Sequence, residues 1–160
     1  MTEFELIDRL REMLPLNSST RVGAGDDCAV LDLGLPGHWV LFKTDAVVAG
    51  IHFTEATDPG LIGHKALARC LSDVAAMSGT PSHAVVTLGL PRDSDPVRVE
   101  GVYGGLKRLA ERHGVAIVGG ETTSNPERLL LSAALSGPVR QGRCPLRSGA
   151  RPGDALFVTG

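Results

Sequence analysis

A chain of 160 residues with 42% hydrophobic and 21% charged residues and a net charge of −2 has the size of one globular domain, able to bury roughly 70% of its unfolded surface. This composition excludes an intrinsically disordered chain. The near balance of charge gives no electrostatic case for nucleic acid or an anionic membrane as partner.

Thr2 to Leu14 reads as a short amphipathic helix, with Phe4, Ile7, Leu10 and Leu14 on one stripe and Pro15 as its stop. Cys28 to Leu33 and Trp39 to Thr44 read as two strands joined by the turn G-L-P-G-H, a hairpin. Asp58-Pro59 starts a helix in which Ile62, Ala66, Leu67, Leu71, Val74 and Ala75 keep helical spacing up to Gly79-Thr80-Pro81. Its small residues suit close packing on a sheet. Ala84 to Leu90 is a buried strand. Asp95-Pro96 then starts a second long helix that runs to His113, with Gly114 as its stop. Val115 to Val118 reads as a short buried strand ending at Gly119-Gly120, Leu129 to Val139 as a long strand, and Ala155 to Thr159 as the start of another. The predicted fold is α+β, a mixed sheet with helices packed on one face. Residues 1–150 are expected to form one domain and 151–160 to begin a further one.

The three cysteines, Cys28, Cys70 and Cys144, are widely spaced and make no C-x-x-C pair. That argues against a disulfide framework or zinc site and for a reducing compartment, so a cytoplasmic location is expected. No apolar run approaches the ~18 residues of a membrane span, and the N-terminus is acidic and amphipathic, not signal-like.

The familiar phosphate-binding loops and nucleophile elbows are absent from the sequence. Carboxylates beside small or hydroxylated residues remain. In G-A-G-D-D-C-A-V-L, Gly23 to Leu31, two glycines permit a tight turn and Asp26 and Asp27 follow it. Adjacent aspartates either cap a turn or hold a hard cation through oxygen. Asp45 in K-T-D, at the expected end of a strand, is placed to point toward a site together with Thr44. Asp73 in L-S-D interrupts an apolar, small-residue helix, where it either faces water or serves a function. Glu121 follows two glycines. Such a scatter suits Mg²⁺ held against phosphates, since magnesium needs only one or two carboxylates per ion. His52 in G-I-H-F is placed to contact a substrate. Arg143, Arg147 and Arg151 form a basic loop that is either a solvated face or a phosphate grip.

Taken in order, G-A-G-D-D-C-A-V-L, K-T-D-A-V-V-A-G-I-H-F, K-A-L-A-R-C-L-S-D-V-A-A-M, V-G-G-E-T-T and R-S-G-A-R-P-G-D-A-L-F-V-T-G closely resemble the N-terminal domain of the thiamine-monophosphate kinases. These belong to a superfamily that includes aminoimidazole ribonucleotide synthetase, selenophosphate synthetase and a hydrogenase-maturation protein. The resemblance implies ATP-dependent phosphorylation of thiamine monophosphate to thiamine diphosphate, with several Mg²⁺ ions. It implies metal ligation by Asp27, Thr44, Asp45, Asp73 and Glu121, with Lys43 offering its backbone carbonyl. It further implies nucleotide contacts from Gly120, Glu121 and Arg147, substrate contact from His52, and a homodimer whose N-terminal sheets join. This chain departs from the family pattern in carrying Glu121 where aspartate is usual and Lys43 where a small hydroxyl residue is common. A different reaction of the same superfamily, or a non-catalytic dimerisation or nucleotide-binding module, stands as the alternative.

Overall fold

Local capping chemistry starts each of the three helices. Thr2 and Glu5 form a reciprocal capping box at helix α1, Glu3–Met13. Asp58 and Asp95 accept from the backbone N–H groups of Leu61 and Val97, with proline at the first helical position, and so start α2 (Pro59–Ala76) and α3 (Pro96–Arg112). The strands are β1 (Thr20–Val22), β2 (Ala29–Leu31), β3 (His38–Val48), β4 (His83–Leu90), β5 (Ala116–Ser124) and β6 (Leu130–Arg140). A single 3₁₀ turn follows at Arg147–Gly149. The computed structural model describes residues 1–158.

The six strands form one sheet in the order β1-β2-β3-β6-β4-β5. The predicted hairpin is present, β2 pairing antiparallel with β3. Strand β6 runs antiparallel to both its neighbours, β3 and β4, while β4 and β5 are parallel. Thus β3, β4 and β5 share one direction and are linked through α2 and α3, with β6, which follows all three along the chain, slotted between the first two. This β-α alternation is hidden in the order of elements along the chain, because β6 inserts between strands far from it in sequence.

Alternation along β6 divides the sheet into two faces. Leu131, Ala133, Leu135 and Val139 are buried toward the helices, while Leu130, Ser132, Ala134 and Ser136 are half-exposed on the other side. From α2, Ile62, Ala66, Leu67, Cys70 and Val74 close the core. Helices α2 and α3 approach each other through glycine. A Cβ at Gly63 would collide with the Val102 carbonyl, and one at Gly105 with the Gly60 carbonyl. The fold class read from sequence is therefore the one observed, with α2 and α3 as its helical layer. Helix α1 stands apart from it: its predicted stripe is amphipathic, yet none of its residues is buried.

Four sequence expectations change. Strand β1 has too few residues to give a periodic signal and went unread. Strand β5 does not end at Gly119-Gly120 but runs through both, and it is exposed because β4 covers only one of its sides. Asp45 does not end its strand; β3 continues to Val48, held along its whole length by β6. Ala155–Val158 form no strand, and Thr159, included in that expectation, lies outside the described residues.

All three cysteines are free thiols. Burial pushes the Cys28 thiol up to about 12 and the Cys70 thiol up to about 11, from 9.0. The unfolded chain therefore ionises these groups first, so their stability contribution is complete below about pH 9. It is lost as pH rises toward the folded values. Urea unfolding should show stability falling from pH 9 to 11, and Cys70→Ala should flatten part of that fall. The glycine seam gives a second expectation, read from the same unfolding curves. Gly105→Ala should lower stability by about 1–3 kcal/mol through overpacking. Gly104→Ala, whose Cβ would meet only the mobile end of Arg108, should raise it by up to about 1 kcal/mol.

Candidate functional site

The site starts from the period of β3. Leu41, Lys43, Asp45 and Val47 point toward the helices, whereas Phe42, Thr44 and Ala46 point to the open face. Above that strand, α2 carries Lys65, Arg69 and Asp73 four residues apart, one stripe on one helical face, with Ala68 and Ser72 beside it. A third wall comes from the glycine-aspartate turn, where Gly25 adopts a φ of +128° that a side-chain-bearing residue rarely takes. This turn delivers Asp27, and the 3₁₀ turn delivers Arg147. Together Asp27, Lys43, Asp45, Lys65, Ala68, Arg69, Ser72, Asp73 and Arg147 line an open cleft of about 570 Å³.

Each of the cleft's three aspartates has a cationic partner. Arg147 Nη2 and Nε lie 2.5 and 3.1 Å from Asp27 Oδ1, and the Arg147 backbone N–H donates to Asp26 Oδ2 at 3.1 Å. Arg69 Nη2 is 3.2 Å from Asp45 Oδ1. Lys43 Nζ is 2.6 Å from Asp73 Oδ2 and 3.7 Å from Asp45 Oδ2. Burial by itself would favour the neutral lysine, but the bond to Asp73 and the charge of Asp45 outweigh it, and the Lys43 pKa is raised. Behind the cleft, Cys28 is held protonated by burial and by the charge of Asp73, which makes it a core residue and not a nucleophile.

Chemically, the cleft offers hard oxygen donors and guanidinium or ammonium donors side by side. The oxygens suit a divalent cation such as Mg²⁺, and the cations suit phosphate oxygens. Arg69 Nε is buried and has no protein partner among the described residues, leaving one N–H for a ligand oxygen or water. Among the described residues, no three His, Cys, Asp or Glu side chains converge closely enough to hold a metal ion by themselves. A cation held by these carboxylates would draw the rest of its shell from water or from a ligand's oxygens.

Of the residues singled out from sequence, Asp27, Lys43, Asp45, Asp73 and Arg147 meet in this cleft. Thr44 does not join them through its side chain. Period two sends it to the opposite face, where its hydroxyl lies 3.1 Å from Ser132 Oγ. The expectation that Thr44 and Asp45 point the same way fails because both lie inside one continuous strand. Gly120 shares a row with Val86, Ala133 and Asp45, three strand spacings or about 14 Å away. Glu121 follows it on β5, and neither lines the cleft. His52 sits in the turn after β3. Its Nδ1 accepts from the Val48 N–H at 3.1 Å, and its carbonyl accepts from Lys65 Nζ at 2.5 Å. This ties the His52 turn to the cleft wall and leaves Nε2 for another partner. Lys65, Arg69 and Ser72 were missed, although the i, i+4, i+8 spacing of Lys65, Arg69 and Asp73 carries the signal.

A mixed sheet with two covering helices, and a cleft of paired carboxylates and cations at their seam, define this α+β domain. Residues 25–139 match the family described as AIR synthase related protein, N-terminal domain, and the chain belongs to that family. It is 35% identical over 161 residues to the thiamine-monophosphate kinase of Bacillus subtilis (strain 168), covering 100% of this chain and 49% of the relative. Against the thiamine-monophosphate kinase of Escherichia coli (strain K12) it is 39% identical over 160 residues, covering 99% and 48%. The chain thus spans about half the length of the curated relatives it matches. Among solved structures, the complex described as AaThiL with AMPPCP and TMP superposes with a TM-score of 0.78 at 33% identity, over 86% of this chain and 42% of that one. The hydrogenase maturation protein HypE of E. coli, at 24% identity and a TM-score of 0.57 over 85% of this chain and 43% of that one, shares the fold.

The 3₁₀ turn is tied to Asp26 and Asp27 by Arg147, beside the packing of Leu146 on the core. Asp27→Asn should therefore loosen it, and trypsin should cut after Arg143, Arg147 and Arg151 several-fold faster than in the parent chain. Unchanged cleavage kinetics would show that the turn is held by other contacts.

Proposed function

We propose that this chain is the ATP- and Mg²⁺-holding part of a kinase that phosphorylates thiamine monophosphate to thiamine diphosphate. The observation that carries the reading is the set of three aspartate–cation pairs lining one cleft. An Mg²⁺–polyphosphate ligand would offer a cation to the carboxylates and phosphate oxygens to the arginines. The relatives' names, and the AMPPCP and TMP of the solved complex, support this substrate pair.

In this reading Asp27, Asp45 and Asp73 present carboxylate oxygens to Mg²⁺, with the backbone of Lys43 and Thr44 at the same strand. Arg147, Arg69 and Lys65 hold phosphate oxygens, and the bidentate reach of Arg147 fixes their orientation. His52 Nε2 faces the thiamine compound. Gly120 and Glu121 contribute to the nucleotide and metal from the far strand. Bound magnesium would neutralise charge on the transferred phosphoryl group during in-line attack by the acceptor phosphate oxygen. No covalent phosphoenzyme is required. The exposed edge of β5 and the exposed Phe42 and Val85 on the open face support a homodimer joined through its sheets. Three free thiols support a cytoplasmic setting. Among the described residues, no helix is long and apolar enough to cross a membrane.

Calorimetric titration with a non-hydrolysable ATP analogue tests the reading. Binding should require Mg²⁺ and should weaken at least tenfold in Asp45→Asn, which loses roughly 1.4 kcal/mol or more of binding free energy. Binding that is indifferent to both Mg²⁺ and Asp45 would refute it.

A further inference from the structure

Lys43 is the one cationic side chain in the cleft that reaches two carboxylates on different elements. It lies two residues before Asp45 on β3, on the same face, and Asp73 of α2 stands opposite. Its Nζ is 2.6 Å from Asp73 Oδ2 and 3.7 Å from Asp45 Oδ2, and its side chain is only 21% exposed. Arg69 takes the other oxygen of Asp45, so Asp45 Oδ2 and Asp73 Oδ2 are both turned to the ammonium; Asp73 Oδ1, and Asp45 Oδ1 once Arg69 turns to a phosphate, are the oxygens left for Mg²⁺. A divalent ion bridging those same two oxygens would have to stand where Nζ stands. Asp27 differs, because its partner Arg147 is 65% exposed and hangs from a surface turn, free to leave when a metal or phosphate arrives.

We propose that the Lys43 ammonium takes the place of one divalent cation in this cleft, a built-in charge bridging Asp45 and Asp73. The inference rests on the Mg²⁺–nucleotide reading and deepens it: this chain binds its nucleotide with one metal ion fewer than a chain with a neutral residue at position 43. Both carboxylates hold the ammonium directly, one from the strand and one from the helix laid across it. Lys43 is then a positioning residue, setting the separation of Asp45 and Asp73 through a fixed cation.

The test counts Mn²⁺ bound per chain by electron paramagnetic resonance, in the presence of a non-hydrolysable ATP analogue. Wild type, Lys43→Met and Lys43→Arg are compared. Lys43→Met should bind one more Mn²⁺ than wild type, and Mn²⁺ should raise its melting temperature by more than it raises that of wild type. Lys43→Arg, which keeps the charge, should keep the wild-type count. If removal of the ammonium leaves Lys43→Met poorly folded, Mn²⁺ should restore its cooperative melting, and failure to do so would overturn the proposal. Equal Mn²⁺ counts in all three chains, with nucleotide bound, overturn the inference while leaving the functional reading standing. No nucleotide-dependent Mn²⁺ binding by wild type or either variant overturns both.

Discussion

Carboxylates gathered on one wall repel one another unless positive charge stands among them, and the cleft is organised by that requirement. Asp45 and Asp73 come from different elements, a strand and the helix laid across it, and Lys43 joins them. At an effective dielectric of about 20, two like charges 4 Å apart cost about 4 kcal/mol, a large fraction of a domain's net stability. The seam between β3 and α2 is therefore stabilised by the cations that stand in it. What brings α2 to that seam is packing: Ile62, Leu67, Cys70 and Val74 on one side, and the glycine approach to α3 on the other.

The two faces of the sheet serve different purposes. The helix-clad face holds the core and, at its rim, the charged cleft. The other carries the exposed Thr44, Phe42 and Val85, and among the described residues β5 has no neighbour on its outer side. One strand can supply both faces because its side chains alternate. On β3, Lys43 and Asp45 serve the cleft, while the residue between them bonds to Ser132 across the open surface.

Features decided within a few residues were legible in the sequence. Asp58-Pro59 and Asp95-Pro96 start helices, Gly114 ends one, and the hairpin follows from its turn. The α+β class followed from the mixture of periods. Features decided between distant segments were not. Nothing local says that Leu130–Arg140 belongs between β3 and β4, so Asp45 was read as the end of a strand when β6 in fact extends that strand to Val48. Strand β5 continues through its glycines because β4 pairs with them, an influence no window of β5 contains. For the cleft, residue type pointed to Asp27, Asp45, Asp73 and Arg147. Helical spacing would have added Arg69 and Lys65. Lys43 was read for its backbone alone, since the position of its ammonium depends on a carboxylate thirty residues further along.

The insertion of β6 also sets an order of events for a chain made from its N-terminus. Strands β3 and β4 both need β6 beside them, and β6 follows all the other described strands of this sheet along the chain. Until residue 140 is free to fold, the sheet has a gap at its centre, and its two halves have only the helices in common. Pairing over such sequence distances makes folding slow relative to local structure. The hairpin and the two proline-capped helices can form early, but the face that positions Asp45 against α2 is completed only when β6 closes the sheet. The cleft is thus completed late within this domain, because the strand that carries Asp45 is held along its length only once β6 is in place.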